Sequence, residues 1–424
     1  MASVRLLAFD TRYHRPLTAQ SGQHLYIIGA TGTGKTTLMR TLAAQDLHEG
    51  AGIALIDPHG DMARQIENDG YRKDLIVLDA SRGDGLGYNP LKAVAPAWRS
   101  LVAGGVLEVF KKAWPDAWGV RMEHILRNAL LALLDQPSAT FEDILRLLRD
   151  QKFRKQVASN VEHEPVRRFW QKEFFGSRDA IGPIENKIGA FLSDPLVYRI
   201  VCEPERQLSC RRTMDEGKAL LINLAKGRIG EDSSSILGGL FVTAIGLAAF
   251  SRADIAEEAR RPFTLYIDEF QNYTTLAVAD MLSELRKYKT SMVMANQYLD
   301  QLDTKVRHAV LGNVATIVSF RLGPRDAKVL EPYFSPPYRA EDLMVLRDHE
   351  VLLHQVVDGC PQYPRRAWSM RPEEAFAEHR RRFVAGVAER KTKARKQERL
   401  RAREREGFFP SVFFGQHHRQ DPNR

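Results

Sequence analysis

Lys35 and Thr36 close the stretch Gly29-Ala30-Thr31-Gly32-Thr33-Gly34, which matches the P-loop signature G-x-x-x-x-G-K-[ST]. A triphosphate needs a concave row of backbone N–H donors, and glycines at these positions let the chain turn tightly without a Cβ in the way. The expected nucleotide-binding set is therefore Gly29, Ala30, Thr31, Gly32, Thr33, Gly34, Lys35, Thr36 and Thr37. In that chemistry ATP is the ligand, Lys35 reaches its β and γ oxygens, and the Thr36 hydroxyl faces Mg²⁺. Such a loop needs an acidic partner on a neighbouring strand. Three apolar runs end in aspartate, at Asp57, Asp79 and Asp268, and only Asp268 is followed at once by a second carboxylate. Asp268 is expected to bind the metal through its water shell, and Glu269 to polarise the attacking water. Asp57 and Asp79 are expected to cap the helices or turns that follow their strands.

Further polar residues stand where the chemistry could use them. Asn296-Gln297 ends the apolar run after Asp268-Glu269, and the Gln297 amide there suits a hydrogen bond to the γ-phosphate; a polar pair merely terminating a strand is the alternative. Arg286 ends the helical stretch between these two runs. In a ring of subunits it is a candidate arginine finger for a neighbour's nucleotide, with Arg321 the reserve and Arg325 third. A solvated helix end would also favour arginine, through its dipole.

The elements that must position these groups are legible as alternating periods. Residues 4–9 and 24–28 read as strands, and the helix after the P-loop runs to about Ala44. Ile53–Asp57 and Leu75–Asp79 are continuous apolar runs, as expected of strands buried on both faces of a parallel sheet. From about 92 to 206 helical spacing takes over, which reads as an all-α insertion. Strand-like runs return at Ala219–Leu224, Phe263–Glu269, Ser291–Gln297, Ala315–Phe320 and Val351–His354. Between them lie helices, one of them the apolar segment Ile236–Phe250. That segment is too short to span a bilayer and is expected to be a buried helix. The fold class is therefore α/β: a core with a mostly parallel sheet at 1–91 and 207–371, an inserted all-α domain at 92–206, and a basic C-terminal region at 372–424.

Composition narrows the class further. The 424 residues carry 62 Lys and Arg against 53 Asp and Glu, a net charge of +9, which favours a polyanionic partner. Cys202, Cys210 and Cys360 form no metal or redox motif and read as reduced thiols of a cytoplasmic protein. No signal peptide or membrane span is expected. Pro372 to Glu406 reads as one long helix, with 12 basic and 4 acidic residues from Arg380 to Glu406, suited to lie on nucleic acid or an acidic partner. After it, Phe408–Phe414 reads as either a docking peptide or a strap on its own subunit.

Taken together, these motifs resemble the RecA-like P-loop motors of the HerA–FtsK superfamily, most nearly the type IV coupling proteins of conjugation and type IV secretion. The matching stretches are the P-loop, Leu55–Asp61, Tyr88–Leu91, Trp118–Asn128, Asn223–Arg228, Tyr266–Phe270, Leu285–Tyr288, Ala295–Gln297 and Phe320-Arg321. The resemblance implies a hexameric homo-oligomeric ring that hydrolyses ATP and translocates DNA, read here as double-stranded, through a central channel. It also supports Lys35, Asp268, Glu269 and Arg286 in the roles above. Typical members carry an N-terminal membrane anchor that this chain is not expected to have. A different class of function, a nucleotide-dependent adaptor recruiting a protein cargo or nuclease through the α insertion or the C-terminal tail, is the alternative.

Overall fold

The computed structural model describes residues 4–92, 94–115, 118–174, 176 and 178–378. The chain divides into two compact units, Met1–Pro372 and Glu373–Arg424. Within the second, residues 373–378 are described and are helical; Arg380–Glu406 and Phe408–Phe414 lie outside the described residues.

The first unit is built on a twelve-stranded sheet. In chain order its strands are β1 (Val4–Asp10), β2 (Pro16–Gln20), β3 (Leu25–Ile28), β4 (Gly52–Asp57) and β5 (Leu75–Asp79). The two-residue strands β6 (Leu86–Gly87) and β7 (Arg206–Gln207) pair with each other, separately from the main sheet. Then come β8 (Ala219–Asn223), β9 (Phe263–Ile267), β10 (Thr290–Asn296), β11 (Thr316–Ser319), β12 (Glu350–Val357), β13 (Cys360–Pro361) and β14 (Arg365–Ser369). The spatial order is β2-β1-β14-β12-β11-β3-β10-β9-β4-β8-β5, with β13 paired to β12. The run from β11 to β5 is parallel. The far end, from β12 to β2, is antiparallel. Strands β3, β4, β8, β9 and β10 are buried at every residue, which is why they read as unbroken apolar runs rather than alternating ones.

Helices fill the stretch between β6 and β7, from Pro96–Ala113 to Pro195–Val201, with a π-helical turn at Phe169–Glu173. They share one continuous core with the sheet. Phe110 meets Phe141 and Phe191 edge-on at 5.6 and 5.8 Å, which locks three helical segments together. The helix Pro96–Ala113 packs on Glu231–Ser251 at close range. A Cβ on Gly105 would stand 2.4 Å from Thr243 Cγ2, so only glycine admits this approach. Among the described residues, Glu231–Asp254 is the one segment long and apolar enough to cross a membrane; its most apolar 18-residue window has mean hydropathy 1.7 and is 78% buried inside the protein. It is longer than its apolar stretch suggested, because Glu231 and Asp232 form its first turn.

At the other face, Arg5 and Asp46 form a buried ion pair at 2.8 Å. Arg5 also donates to Thr264 Oγ1, and Tyr266 OH donates to Asp46 at 2.8 Å. This network joins β1, the helix Lys35–His48 and β9 through Arg5 Nε and Nη2, while the buried Arg5 Nη1 has no hydrogen-bond partner among the described residues. The network thereby fixes the base of the helix whose other end forms the P-loop.

Candidate nucleotide site

The residues Gly29–Gly34 turn from the end of β3 into the helix Lys35–His48. Gly32 and Gly34 have φ of 80° and 114°, the left-handed region that favours glycine. The helix has no side-chain cap, so its first N–H groups are open to an anion, reinforced by the positive end of the helix dipole. The loop is braced by Ala30 N–H donating to Arg321 O at 2.9 Å and Thr33 Oγ1 donating to Ala30 O at 2.8 Å. Lys35 Nζ donates to Ala30 O at 2.9 Å and so folds back across the loop. Burial pushes the Lys35 pKa down, while Asp268 and Glu269 pull it back up.

The acidic pair stands beside the loop because β9 is two strands from β3 and parallel to its neighbours. Asp268 Oδ2 accepts from Thr36 Oγ1 at 3.1 Å, and its Oδ1 accepts from the Glu269 N–H at 2.9 Å. Burial raises the Asp268 pKa, and the charges of Asp57 and Glu269 add to that, against the two hydrogen bonds. Glu269 takes φ 47°. Its carboxylate is held on both oxygens, by His59 Nε2 at 3.3 Å and by Asn272 Nδ2 at 2.9 Å. The other two aspartates cap as expected. Asp57 accepts from the N–H groups of His59 and Ala63, and Asp79 accepts from the Ser81 N–H and hydroxyl.

These groups line one cavity of about 410 Å³, bounded by Gly32, Lys35, Thr36, His59, Asp268, Glu269, Gln297 and His349 among others. Gln297 Oε1 accepts from Thr31 Oγ1 at 3.2 Å, so the amide meets the loop tip. Asn296 is instead committed to the core, accepting from Tyr26 OH and donating to Tyr298 O. His349 was not anticipated. It is a lone histidine in a polar stretch, and nothing in local spacing marks it. His59 was legible only as part of a turn.

The arginines divide between the two ends of the sheet. Arg286 lies in the 3₁₀ turn Leu285–Tyr288 that precedes β10, whereas the P-loop follows the C-terminal end of the parallel neighbour β3. Seven residues of β10 therefore separate Arg286 from the cavity edge, about 20 Å of strand, and it borders a different cavity with Arg5 and Asp46. Arg321 follows β11 on the loop side and pairs with Asp348 at 3.0 Å. Arg325, almost fully exposed, pairs with Asp300 at 3.2 Å.

Among the described residues no cluster of three or more His, Cys, Asp or Glu groups is placed to hold a metal ion. The Thr36 hydroxyl and Asp268 carboxylate nevertheless converge as hard oxygen donors, which suits Mg²⁺ completing its shell with phosphate oxygens and water.

Comparisons with known proteins agree with this architecture. Residues 19–195 match the family profile described as "Helicase HerA, central domain". None of the curated proteins matches the chain in sequence. Among solved structures, the bacterial conjugative coupling protein TrwB in complex with ADP and Mg²⁺ superposes with TM-score 0.62 at 19% identity, covering 82% of this chain and 86% of that one. The chain has the coupling-protein fold. TrwB bound to a non-hydrolysable ATP analogue gives TM-score 0.59 at 20% identity over the same shares of the two chains. VirB4 of Thermoanaerobacter pseudethanolicus gives TM-score 0.61 at 13% identity, covering 87% of this chain and 96% of that one. The RecA-like P-loop class expected from the sequence is therefore the class observed, with an antiparallel extension at one end of its sheet.

Proposed function

We propose that the chain is a Mg²⁺-dependent ATPase that works as a motor in DNA transfer, assembling as a homo-oligomeric ring, six subunits by analogy, and moving DNA through it. The observation that carries this reading is the convergence of Thr36 and Asp268 at 3.1 Å beside Glu269, across one cavity from Lys35. The likeness to TrwB supports the motor reading, and the net charge of +9 supports a polyanionic partner.

In this reading a phosphate entering the loop competes with Ala30 O for the Lys35 ammonium and takes the open N–H groups of Gly32–Thr37. Thr36 and Asp268 would hold Mg²⁺, which would supply charge neutralisation at the phosphates. Glu269, fixed by His59 and Asn272, orients a water and accepts its proton. Gln297, already in contact with Thr31, registers the γ-phosphate. Arg286 is too far from its own loop to contribute there and serves a neighbouring subunit.

The test separates binding from turnover. Lys35→Ala should lose nucleotide affinity, whereas Glu269→Gln should bind ATP and hydrolyse it barely. Wild-type protein that binds no nucleotide in the presence of Mg²⁺ would sink the proposal.

A further inference from the structure

His349 occupies the P-loop from the side opposite Glu269. The sheet order β12-β11-β3-β10-β9 puts the loop after β3 in the middle. Glu269 and Gln297 approach it from β9 and β10, and His349 approaches from the residue just before β12. Its backbone is tied down: the N–H donates to Thr33 O at 2.8 Å and the C=O accepts from Ser369 N–H at 2.8 Å. It adopts φ 65°, a conformation unfavourable for a residue with a Cβ, which the surrounding bonds hold in place. A Cβ placed on Gly34 would stand 2.5 Å from His349 Nδ1 and 3.0 Å from Cε1. The ring therefore lies against the last P-loop glycine. Among the described residues no hydrogen bond to its ring is found, although it lines the cavity with Lys35, Thr36 and Thr37.

We infer that His349 is a nucleotide-binding residue, its imidazole contacting the α-phosphate and ribose end of the ligand. The inference rests on the nucleotide reading above and adds an orientation to it. Glu269 and Gln297 mark the γ-phosphate end, so a group on the other side of the loop, against Gly34 and Thr37, meets the end that ATP and ADP share. The contact is then a uniform one, equal for both nucleotides and present before hydrolysis. It also ties nucleotide occupancy to the antiparallel strands β12 and β14, through the bond from Ser369.

Titration of Mg-ADP and Mg-ATP into wild type, His349→Gly and His349→Gln tests this. Glycine suits φ 65° and keeps both backbone bonds, so His349→Gly removes the ring alone, and melting without nucleotide checks the fold. Loss of a hydrogen bond to a charged group predicts roughly ten- to a hundredfold weaker binding. The loss should be the same for ADP and ATP, with affinity partly restored by His349→Gln, which keeps an N–H donor. Binding of ADP within twofold of wild type by a folded His349→Gly would overturn the inference. So would a loss confined to ATP, which would put the ring at the γ-phosphate. Failure of the wild type to bind either nucleotide would instead overturn the nucleotide reading itself.

Discussion

His59 Nε2 and Glu269 Oε1 stand 3.3 Å apart, linking the turn after β4 to the residue that follows Asp268 at the end of β9. With Asn272 on the other carboxylate oxygen, both oxygens of Glu269 have a partner where the side chain lines the cavity. Glu269→Gln is expected to keep ATP affinity and lose about 10²–10⁴ in turnover, the usual range for a general base. His59→Ala should lower kcat less and leave affinity unchanged. Equilibrium binding beside steady-state hydrolysis checks both, and near wild-type turnover by Glu269→Gln would remove it from the chemistry.

Asp268 predicts an exchange of stability for function. Burial raises its pKa above the unfolded value, so its favourable contribution is complete below the unfolded pKa and is lost as pH rises through the folded pKa. At neutral pH the unliganded protein carries a buried charge at a cost. Asp268→Asn should therefore melt roughly 1–3 °C higher than wild type at pH 7.5, with a smaller gain at pH 4, while losing Mg-dependent hydrolysis. Melting curves at the two pH values test it; an equal or lower melting temperature at pH 7.5 contradicts the electrostatic account.

Arg5 predicts the reverse case, a pure stability effect. Arg5→Leu leaves the Asp46 carboxylate buried without its partner, which costs about 3–5 kcal/mol in comparable buried pairs. Urea unfolding followed by circular dichroism reads this directly. A change below about 1 kcal/mol would mean that Asp46 is sufficiently held by Tyr266 alone.

What the sequence revealed follows from where each signal is stored. The P-loop and Asp268-Glu269 are local patterns whose chemistry demands fixed spacing, and buried parallel strands such as Leu25–Ile28 and Phe263–Ile267 leave unbroken apolar runs. The strands β2 and β14 escaped, because Pro16–Gln20 and Arg365–Ser369 are short and mix polar with apolar residues at the antiparallel end of the sheet. The helix Lys35–His48 extends a turn past Ala44 because Gln45 and Asp46 are buried and hydrogen-bonded rather than terminal. The stretch Leu276–Tyr288 tightens to a 3₁₀ turn from Leu285. His349 reaches the site only through tertiary packing. No window of sequence around it carries the fact that β12 lies two strands from β3.

Arg286 makes a prediction that only an assembly can show. Its place at the opposite end of β10 separates it from its own loop. Lys35→Ala and Arg286→Ala should each be nearly inactive alone. Mixed under conditions of proven subunit exchange, some boundaries regain an intact loop facing an intact arginine, and activity should rise above either parent. Arginine fingers contribute roughly 10³–10⁵ in rate, so a few restored sites are enough to see. No recovery would transfer the role to Arg321 or leave Arg286 structural.

The central claim, that ATP hydrolysis here drives movement along DNA, is tested most directly by the steady-state ATPase rate of the full chain with linear duplex DNA, single-stranded DNA, RNA and no nucleic acid. Lys35→Ala serves as the blank. The account predicts strong stimulation by DNA, greatest with duplex, that falls as salt rises and is absent in Lys35→Ala. A wild-type rate that is the same with and without every nucleic acid would contradict it.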